Sequence, residues 1–140
     1  MWEFFKILVL GKAVLLTPGP IDIGKSWTRI TPPISLSALN QGARLEVQMN
    51  PTADLPSSAS DRLKDLNEKY PVGCVTSRMV SDKDVEITLK NESEVASTTV
   101  AYLVLTPQAK IPPGERFSRM QIRATCPLYH VTVVWENSSK

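Results

Sequence analysis

Alternation of apolar and polar residues with a period of two recurs in four segments of this chain, at 43–49, 85–90, 117–126 and 129–135. Successive side chains of an extended strand point to opposite faces of a sheet, so the pattern predicts half-buried antiparallel strands. The residues predicted to face inward are Leu45, Val47, Met49, Val85, Ile87, Leu89, Met120, Ile122, Ala124, Cys126, Tyr129, Val131, Val133 and Trp135.

Turn residues separate these segments. The chain has 11 prolines, which favour short strands with turns over a helical bundle because proline cannot donate to a backbone ladder. The polar runs 81–84 and 91–94 predict hairpin loops, and IPPG at 111–114 predicts a type II turn. Segment 98–105 is apolar on both faces, which predicts a central strand.

Less regular segments predict further elements. Residues 74–80 predict another strand, and 27–30 with 34–36 predict a first edge strand. The stretch 60–69, SDRLKDLNEK, predicts the one helix: it begins at a serine cap, carries Leu63, Leu66 and Tyr70 at helical spacing, and stops before Pro71. We interpret this helix as a crossover between strands.

Together these elements predict an all-β fold, an antiparallel β-sandwich with one short crossover helix. VEITLKNESEVASTTVAYLVL followed by IPPGERF resembles the strand rhythm of immunoglobulin-like and fibronectin-like sandwiches in bacterial envelope proteins. ISLSALNQGARLEVQM equally resembles a carbohydrate-binding jelly-roll. The chain departs from true immunoglobulin domains because Trp135 follows both cysteines instead of lying between them.

Residues 1–18 form the most apolar segment, and we expect them to be a hydrophobic anchor or signal-like segment ahead of a β-sandwich domain at 19–140. The expected membrane-contacting residues are Trp2, Phe4, Phe5, Ile7, Leu8, Val9, Leu10, Val14, Leu15 and Leu16. A helix over 7–16 would span only about 15 Å of a hydrocarbon core about 30 Å thick. The same residues also fit a hairpin that turns at Gly11-Lys12 and joins 5–10 to 13–17, or an interfacial helix that binds a partner.

Cys74 and Cys126 are the only cysteines. They are either two small buried thiols or one disulfide, and export from the cytoplasm favours the disulfide.

Sequence motifs for catalysis are missing. The chain has one histidine, His130, which the strand pattern points toward solvent, and it has no nucleophile elbow, phosphate loop or dinucleotide fingerprint. Cys126 and His130 are spaced too widely on an extended strand to share a metal ion. We therefore expect no enzyme activity, no metal and no cofactor. The net charge of +2 without a polybasic run also predicts no nucleic-acid partner.

The candidate binding residues are Arg116, Arg119, Arg123 and Trp27. The arginines form an outward basic stripe that could meet an acidic protein, a phosphate headgroup or a glycan carboxylate, although arginines also keep a plain solvent face soluble. Trp27 is expected either in the core or as an exposed ligand platform.

These observations predict a non-catalytic binding or assembly module, tethered or exported by its N-terminal segment, with the globular domain outside the cytoplasm. Its expected partners are the membrane and a protein or glycan. The alternative is a viral or cytoplasmic structural subunit whose N-terminal segment completes its own core or an oligomer interface. A third class, an enzyme acting on sugars or lipids, would need a pocket near His130 or near Asp82 and Asp84.

Overall fold

The computed structural model describes residues 13–33, 36–37, 43–49, 59–96, 101–112 and 114–137. In chain order the elements are β1 Ala13–Leu15, β2 Ile21–Ile23, β3 Thr28–Ile30, β4 Leu36–Ser37, β5 Ala43–Met49, α1 Ala59–Lys69, β6 Val75–Ser81, β7 Glu86–Ala96, β8 Ala101–Pro107, β9 Arg116–Ala124 and β10 Leu128–Asn137.

The ten strands of the described residues belong to one antiparallel sheet in the order β1-β10-β5-β8-β7-β6-β9-β3, with β2 attached to β10 and β4 to β9. The sheet curls into a half-barrel. Because the described residues are mostly antiparallel strand with one short helix, the prediction of an all-β antiparallel fold is confirmed. The described strands form one continuous hydrogen-bonded path and not two separate sheets. Strand β8 lies near the middle of this path, as its two apolar faces predict.

The core lies on the inner face of the curled sheet. Trp135 and Phe117 are its largest fully buried side chains; α1 adds Leu66, and Tyr70 follows directly after the helix. The period-two pattern explains this arrangement, since alternate residues of β6, and of β9 from Met120 onward, are buried while the residues between them are partly or fully exposed. Each large apolar side chain that is fully buried contributes about 1.5–3 kcal/mol, so this face supplies the main driving force for folding.

The predicted hairpin loop at 81–84 is confirmed. Ser81 Oγ accepts hydrogen bonds from the backbone N–H groups of Lys83 and Val85, at 3.2 and 3.0 Å. Asp84 has a φ of 63°, a left-handed conformation that aspartate tolerates better than most residues. The turn therefore closes through a serine side chain and one left-handed residue.

The predicted loop at 91–94 is wrong, because β7 continues through these residues to Ala96. The register of β7 against β8 shifts between Asn91 and Ser93, which marks a β-bulge. Asn91 is 0% exposed, and its amide is fully used: Oδ1 accepts from Val75 N at 2.9 Å, and Nδ2 donates to Pro71 O at 3.1 Å. A polar sequence that suits a turn is here a bulged strand with a buried asparagine.

The prediction that Tyr129 faces inward is also wrong, since its side chain is 72% exposed. The pairing of β10 with β2 shifts between Leu128 and Val131, and His130 has a φ of 58°. This irregularity turns Tyr129 outward and gives the inward position to Leu128, which is fully buried. The backbone N–H of His130 donates to Asp22 Oδ1 at 2.8 Å, which ties the irregular segment to β2.

The structure corrects part of the anchor prediction. Val14 and Leu15 pair with Trp135 and Val134 of β10, and Leu16 N donates to Val133 O at 2.9 Å. These three residues are therefore part of the sheet, which begins before the predicted boundary at residue 18. A continuous apolar run fits a strand buried in a sheet as well as a membrane helix, so periodicity alone does not separate the two. The other predicted anchor residues, Trp2, Phe4, Phe5, Ile7, Leu8, Val9 and Leu10, lie outside the described residues.

Cys74 and Cys126 form a disulfide with a Cα–Cα distance of 5.7 Å. It joins the residue before β6 to a residue just after β9, two strands that are also paired by a ladder. Of the two alternatives that the sequence leaves open, the structure has the bridge.

Candidate functional site

Four arginines form a cross centred on Gln121, on the outer face of the sheet. Arg29 of β3 and Arg78 of β6 lie directly opposite Gln121 on either side of β9. Arg119 and Arg123 flank Gln121 along β9 itself. Neighbouring strands are about 4.8 Å apart and alternate residues of a strand about 7 Å apart, so the backbone positions of the four arginines fall within an area of about 10 by 14 Å. We call the outward side chains of Trp27, Arg29, Arg78, Arg119, Gln121 and Arg123 the Arg–Trp face.

Trp27 orders two of these guanidiniums. The Arg123 Cζ lies 4.4 Å from the centre of the indole ring, and the Arg78 Cζ lies 4.8 Å from it. Both distances are within the range of cation–π attraction, which contributes about 0.5–1 kcal/mol at an exposed site. A guanidinium stacked on a ring still presents its N–H edge, and that edge binds carboxylates and phosphates. Trp27 is thus neither a core residue nor a bare platform, but the support for Arg78 and Arg123.

Two carboxylates of the chain lie against this face. Arg119 Nη2 is 2.7 Å from Asp84 Oδ1 and also donates to Ser81 O at 2.8 Å. Arg78 Nε is 4.0 Å from Glu86 Oε1, and Arg78 Nη2 donates to Gln121 Oε1. Both ion pairs are solvent-exposed, and such pairs contribute about 0–1 kcal/mol each.

A groove of about 600 Å³ crosses this face. Its lining includes Arg29, Arg78, Arg119, Gln121 and Glu86, with apolar contributions from Ile30, Val80 and Met120. Among the described residues, no carboxylate forms an ion pair with Arg29 or Arg123. Four guanidiniums therefore meet two carboxylates, and the face carries an excess of positive charge open to solvent.

The structure brings together three of the four predicted binding residues. Arg119 and Arg123 are exposed on β9 as expected, and Trp27 contacts Arg123. Arg116 is also exposed, but it lies at the start of β9 opposite Ser37. Of the four predicted residues only Arg119 lines the groove, and Trp27 adjoins it through its contact with Arg78. A register shift between Val80 and Ser81 separates its position from that of Arg119.

Sequence reasoning missed Arg29 and Arg78, which complete the cross. Both occupy outward positions of short or weakly predicted strands, and neither is close to β9 in the chain. Their alternation with buried neighbours was a signal that they face outward. Their pairing with Gln121 depends on strand order and register, which no local pattern encodes.

A second charged cluster lies on the outer face of β5 and β10, and we call Arg44, Glu46, Gln48 and Glu136 the carboxyl cluster. Arg44 Nη2 is 2.9 Å from Glu46 Oε2 and 3.6 Å from Glu136 Oε1. A hydrogen bond with Glu46, and then burial, raise the pKa of Glu136 to about 7. Burial acts to raise the pKa of Glu46, but hydrogen bonds with Glu136 and Arg44 outweigh it and the pKa of Glu46 is lowered. The proximity of the two carboxyls therefore favours the protonated form of Glu136 and the ionised form of Glu46.

The residues considered for catalysis do not come together in one place. His130 borders a different cavity, of about 350 Å³, beside α1. Asp82 accepts a hydrogen bond from Ser118 Oγ at 2.7 Å, and Asp84 pairs with Arg119. Within the described parts of the chain, no three histidine, cysteine, aspartate or glutamate side chains are grouped to hold a metal ion.

The described part of the chain also contains no helix with the length and hydrophobicity needed to cross a membrane. In comparisons with protein-family models, with curated proteins and with solved structures, nothing matches this chain significantly.

Proposed function

We propose that this protein is a non-catalytic binding or assembly module that engages an anionic partner through the Arg–Trp face. The observation that carries the proposal is the cross of four guanidiniums around Gln121, two of them supported by Trp27. Arginines on unrelated strands gain nothing for folding by clustering, since like charges repel at this spacing. Their convergence around Gln121, with Arg29, Arg78 and Arg119 lining one groove, is better explained by a ligand that neutralises them.

We further propose that the domain acts outside the cytoplasm. The disulfide between Cys74 and Cys126 supports this, because such bridges persist mainly in oxidising compartments. The apolar composition of residues 1–12 supports a membrane tether as the means of export. The likeness to immunoglobulin-like or jelly-roll sandwiches in the bacterial envelope stays a prediction of the same kind.

The second candidate is a structural subunit of a larger assembly, viral or cytoplasmic, in which the N-terminal segment is part of the core. The pairing of β1 with β10 favours this candidate, since Val14 and Leu16 are buried in the domain itself. In this case the Arg–Trp face would contact an acidic surface of a neighbouring subunit. Removing residues 1–12, which precede β1, distinguishes the two candidates: a tethered domain leaves the membrane and stays folded, whereas a subunit whose N-terminal segment completes its core or an interface unfolds or fails to assemble.

The proposed binding activity is tested with the full-length chain and simple anionic probes. Poly-L-glutamate, inorganic polyphosphate and neutral dextran are titrated into the protein at 50 and 200 mM salt, with binding followed by calorimetry. We expect binding to at least one anionic probe, weakening with salt, and none to dextran. The double variant Arg29→Gln/Arg123→Gln should weaken that binding at least tenfold, since each lost contact to a charged group is worth about 1.5–3 kcal/mol.

The matched control is Lys64→Gln/Lys110→Gln, which removes the same charge from exposed positions outside the face. Its binding should stay within twofold of the wild type. Equal losses in the two double variants would mean that the anion senses only net charge, and the proposal would then be wrong. No binding to either anionic probe would also reject it.

A further inference from the structure

We infer that the ligand of the Arg–Trp face is an extended acidic polypeptide segment with carboxylates on alternate residues, and that Trp27 is a positioning residue for its recognition. This inference rests on the proposed function and names the partner's chemistry.

The face already accommodates carboxylates. Asp84 binds Arg119 and Glu86 approaches Arg78, so two of the four guanidiniums hold a carboxylate of the chain's own. These pairs are exposed and weak, and an incoming carboxylate can replace them at little cost. The chain's own carboxylates thus already make the kind of contact that we infer for the ligand.

The other two arginines, Arg29 and Arg123, determine the spacing of the carboxylates that the face can bind. Arg29 lies opposite Gln121, and Arg123 lies two residues further along β9, so the two are diagonal neighbours in the ladder. Such positions are about 7–8 Å apart. Alternate side chains of an extended peptide lie on one side about 7 Å apart. Two carboxylates in an i, i+2 arrangement therefore match Arg29 and Arg123 without bending the peptide.

The environment of Trp27 disfavours ligands that bind by stacking on an aromatic ring. Single-stranded nucleic acids need an aromatic face for their bases, and sugars commonly use one for their rings. The space over the Trp27 ring is already taken by the guanidiniums of Arg78 and Arg123, at 4.8 and 4.4 Å from its centre. The indole therefore holds the cations in place, and recognition falls to their N–H edges.

The backbone argues against phosphate groups. Phosphate sites in proteins typically use backbone N–H groups at a helix N-terminus or in a loop nest. Strand β6 lies between β7 and β9, and β9 lies between β6 and β3, so both strands carry antiparallel ladders on two sides, whereas β3 pairs with β9 on one side. The donors that face the groove are side-chain guanidiniums, which bind carboxylates and phosphates alike by two parallel hydrogen bonds, so the preference for a carboxylate peptide rests on the spacing of Arg29 and Arg123 and is tested against polyphosphate below.

The experiment compares three anionic probes on the full-length protein by calorimetry at 100 mM salt. The first is a twelve-residue peptide alternating Glu and Thr, the second has the same composition as three Glu-Glu-Thr-Thr repeats, in which no two Glu are two residues apart, and the third is inorganic polyphosphate of equal charge. We expect the alternating peptide to bind at least tenfold more tightly than either of the others.

Trp27→Leu should weaken the alternating peptide by about tenfold, whereas Trp27→Phe, which keeps an aromatic ring, should recover most of the affinity. The NMR signals of the Arg78 and Arg123 Nε–H groups give a readout that a merely structural role would not move. Both should be displaced by the ring current in the wild type, lose that displacement in Trp27→Leu while backbone signals persist, and shift when peptide is added.

Preference for polyphosphate, or equal binding of the two peptides, would overturn this inference while the proposed anion-binding function stands. Binding of no anionic probe would overturn both. Unchanged peptide affinity in Trp27→Leu would overturn the positioning role of the tryptophan.

Discussion

The outer surface of the curled sheet carries two arginine-containing regions that have the same kind of sequence pattern. In the carboxyl cluster, Arg44 lies between Glu46 and Glu136, and Glu46 is only 5% exposed. In the Arg–Trp face, Arg29 and Arg123 have no described ion-pair partner, and the ion pairs of Arg78 and Arg119 are exposed. Both regions arise from polar residues that alternate with core residues along a strand.

The difference is whether the charges are neutralised within the fold. The carboxyl cluster pairs its arginine internally, and the proximity of its two acids favours the protonated form of Glu136, so it serves the sheet that carries it. The Arg–Trp face keeps excess positive charge, and a disulfide and the Asn91 amide hold its strands instead. A covalent bond and a neutral amide do not titrate near neutral pH. The two halves of the sheet should therefore respond differently to pH, which the following predictions test.

The largest effect is expected from Cys74→Ser/Cys126→Ser. The sequence separation of the two cysteines is 52 residues, and closing a loop of that length stabilises the folded state by about 4 kcal/mol in the chain-entropy model. Chemical denaturation should show this loss equally at pH 5 and pH 8, and reduction of the wild type should reproduce it. A loss that differs between the two pH values would break the proposed division between the halves.

A somewhat smaller effect is expected from Asn91→Leu. Leucine is similar in size but leaves the Val75 N–H and the Pro71 carbonyl without their partner in a buried site. Each unsatisfied group costs about 1–3 kcal/mol, so we expect a loss of about 3 kcal/mol in the free energy of unfolding, again independent of pH. Asn67→Leu, at an exposed position of α1, should change stability by less than about 0.5 kcal/mol. Similar losses in the two variants would show that the Asn91 hydrogen bonds are unimportant.

The smallest effect concerns Glu136 and, unlike the first two, depends on pH. The pKa of Glu136 is raised to about 7 in the folded protein from 4.5, so its contribution to stability is complete below pH 4.5 and is lost as the pH rises through 7. The lowered pKa of Glu46 acts in the other direction, but only as the pH falls below 4.5. Between pH 5 and pH 8 the wild type should therefore lose stability, on the order of 1 kcal/mol after allowing for the partial exposure of Glu136.

Glu136→Gln keeps a hydrogen-bond donor for Glu46 at every pH and should flatten this dependence. Thermal unfolding at half-unit pH intervals measures it, with Glu68→Gln on the exposed side of α1 as the control. If Glu136→Gln and the wild type lose stability in parallel, the proximity of Glu46 does not favour the protonated form of Glu136 near neutrality.

Much of the secondary structure could be predicted locally. Strand β5 and helix α1 follow from a few residues each, because alternation and capping act within one element. The failures lie where two elements meet. Asn91 reads as a turn residue but is buried because α1 ends above it, and Tyr129 is turned outward by a register shift against β2.

The candidate site was predictable only in part, for a related reason. Arg119 and Arg123 share a strand, so their common face follows from spacing alone. Arg29 joins them through the pairing of β3 with β9, and Arg78 through the pairing of β6 with β9. Because these strands are far apart in the sequence, local sequence patterns cannot predict that their arginines form a cluster.

By itself, the sequence determined that this protein is built of short antiparallel strands with one helix, because the side-chain period and the turn residues act over a few positions. Only the tertiary structure decided that the strands form one curled sheet, that Val14 to Leu16 belong to it, and that four arginines meet around Gln121. Strand order and register depend on contacts between segments far apart in the chain, and it is these contacts that decide which charges are paired and which stay open to a partner.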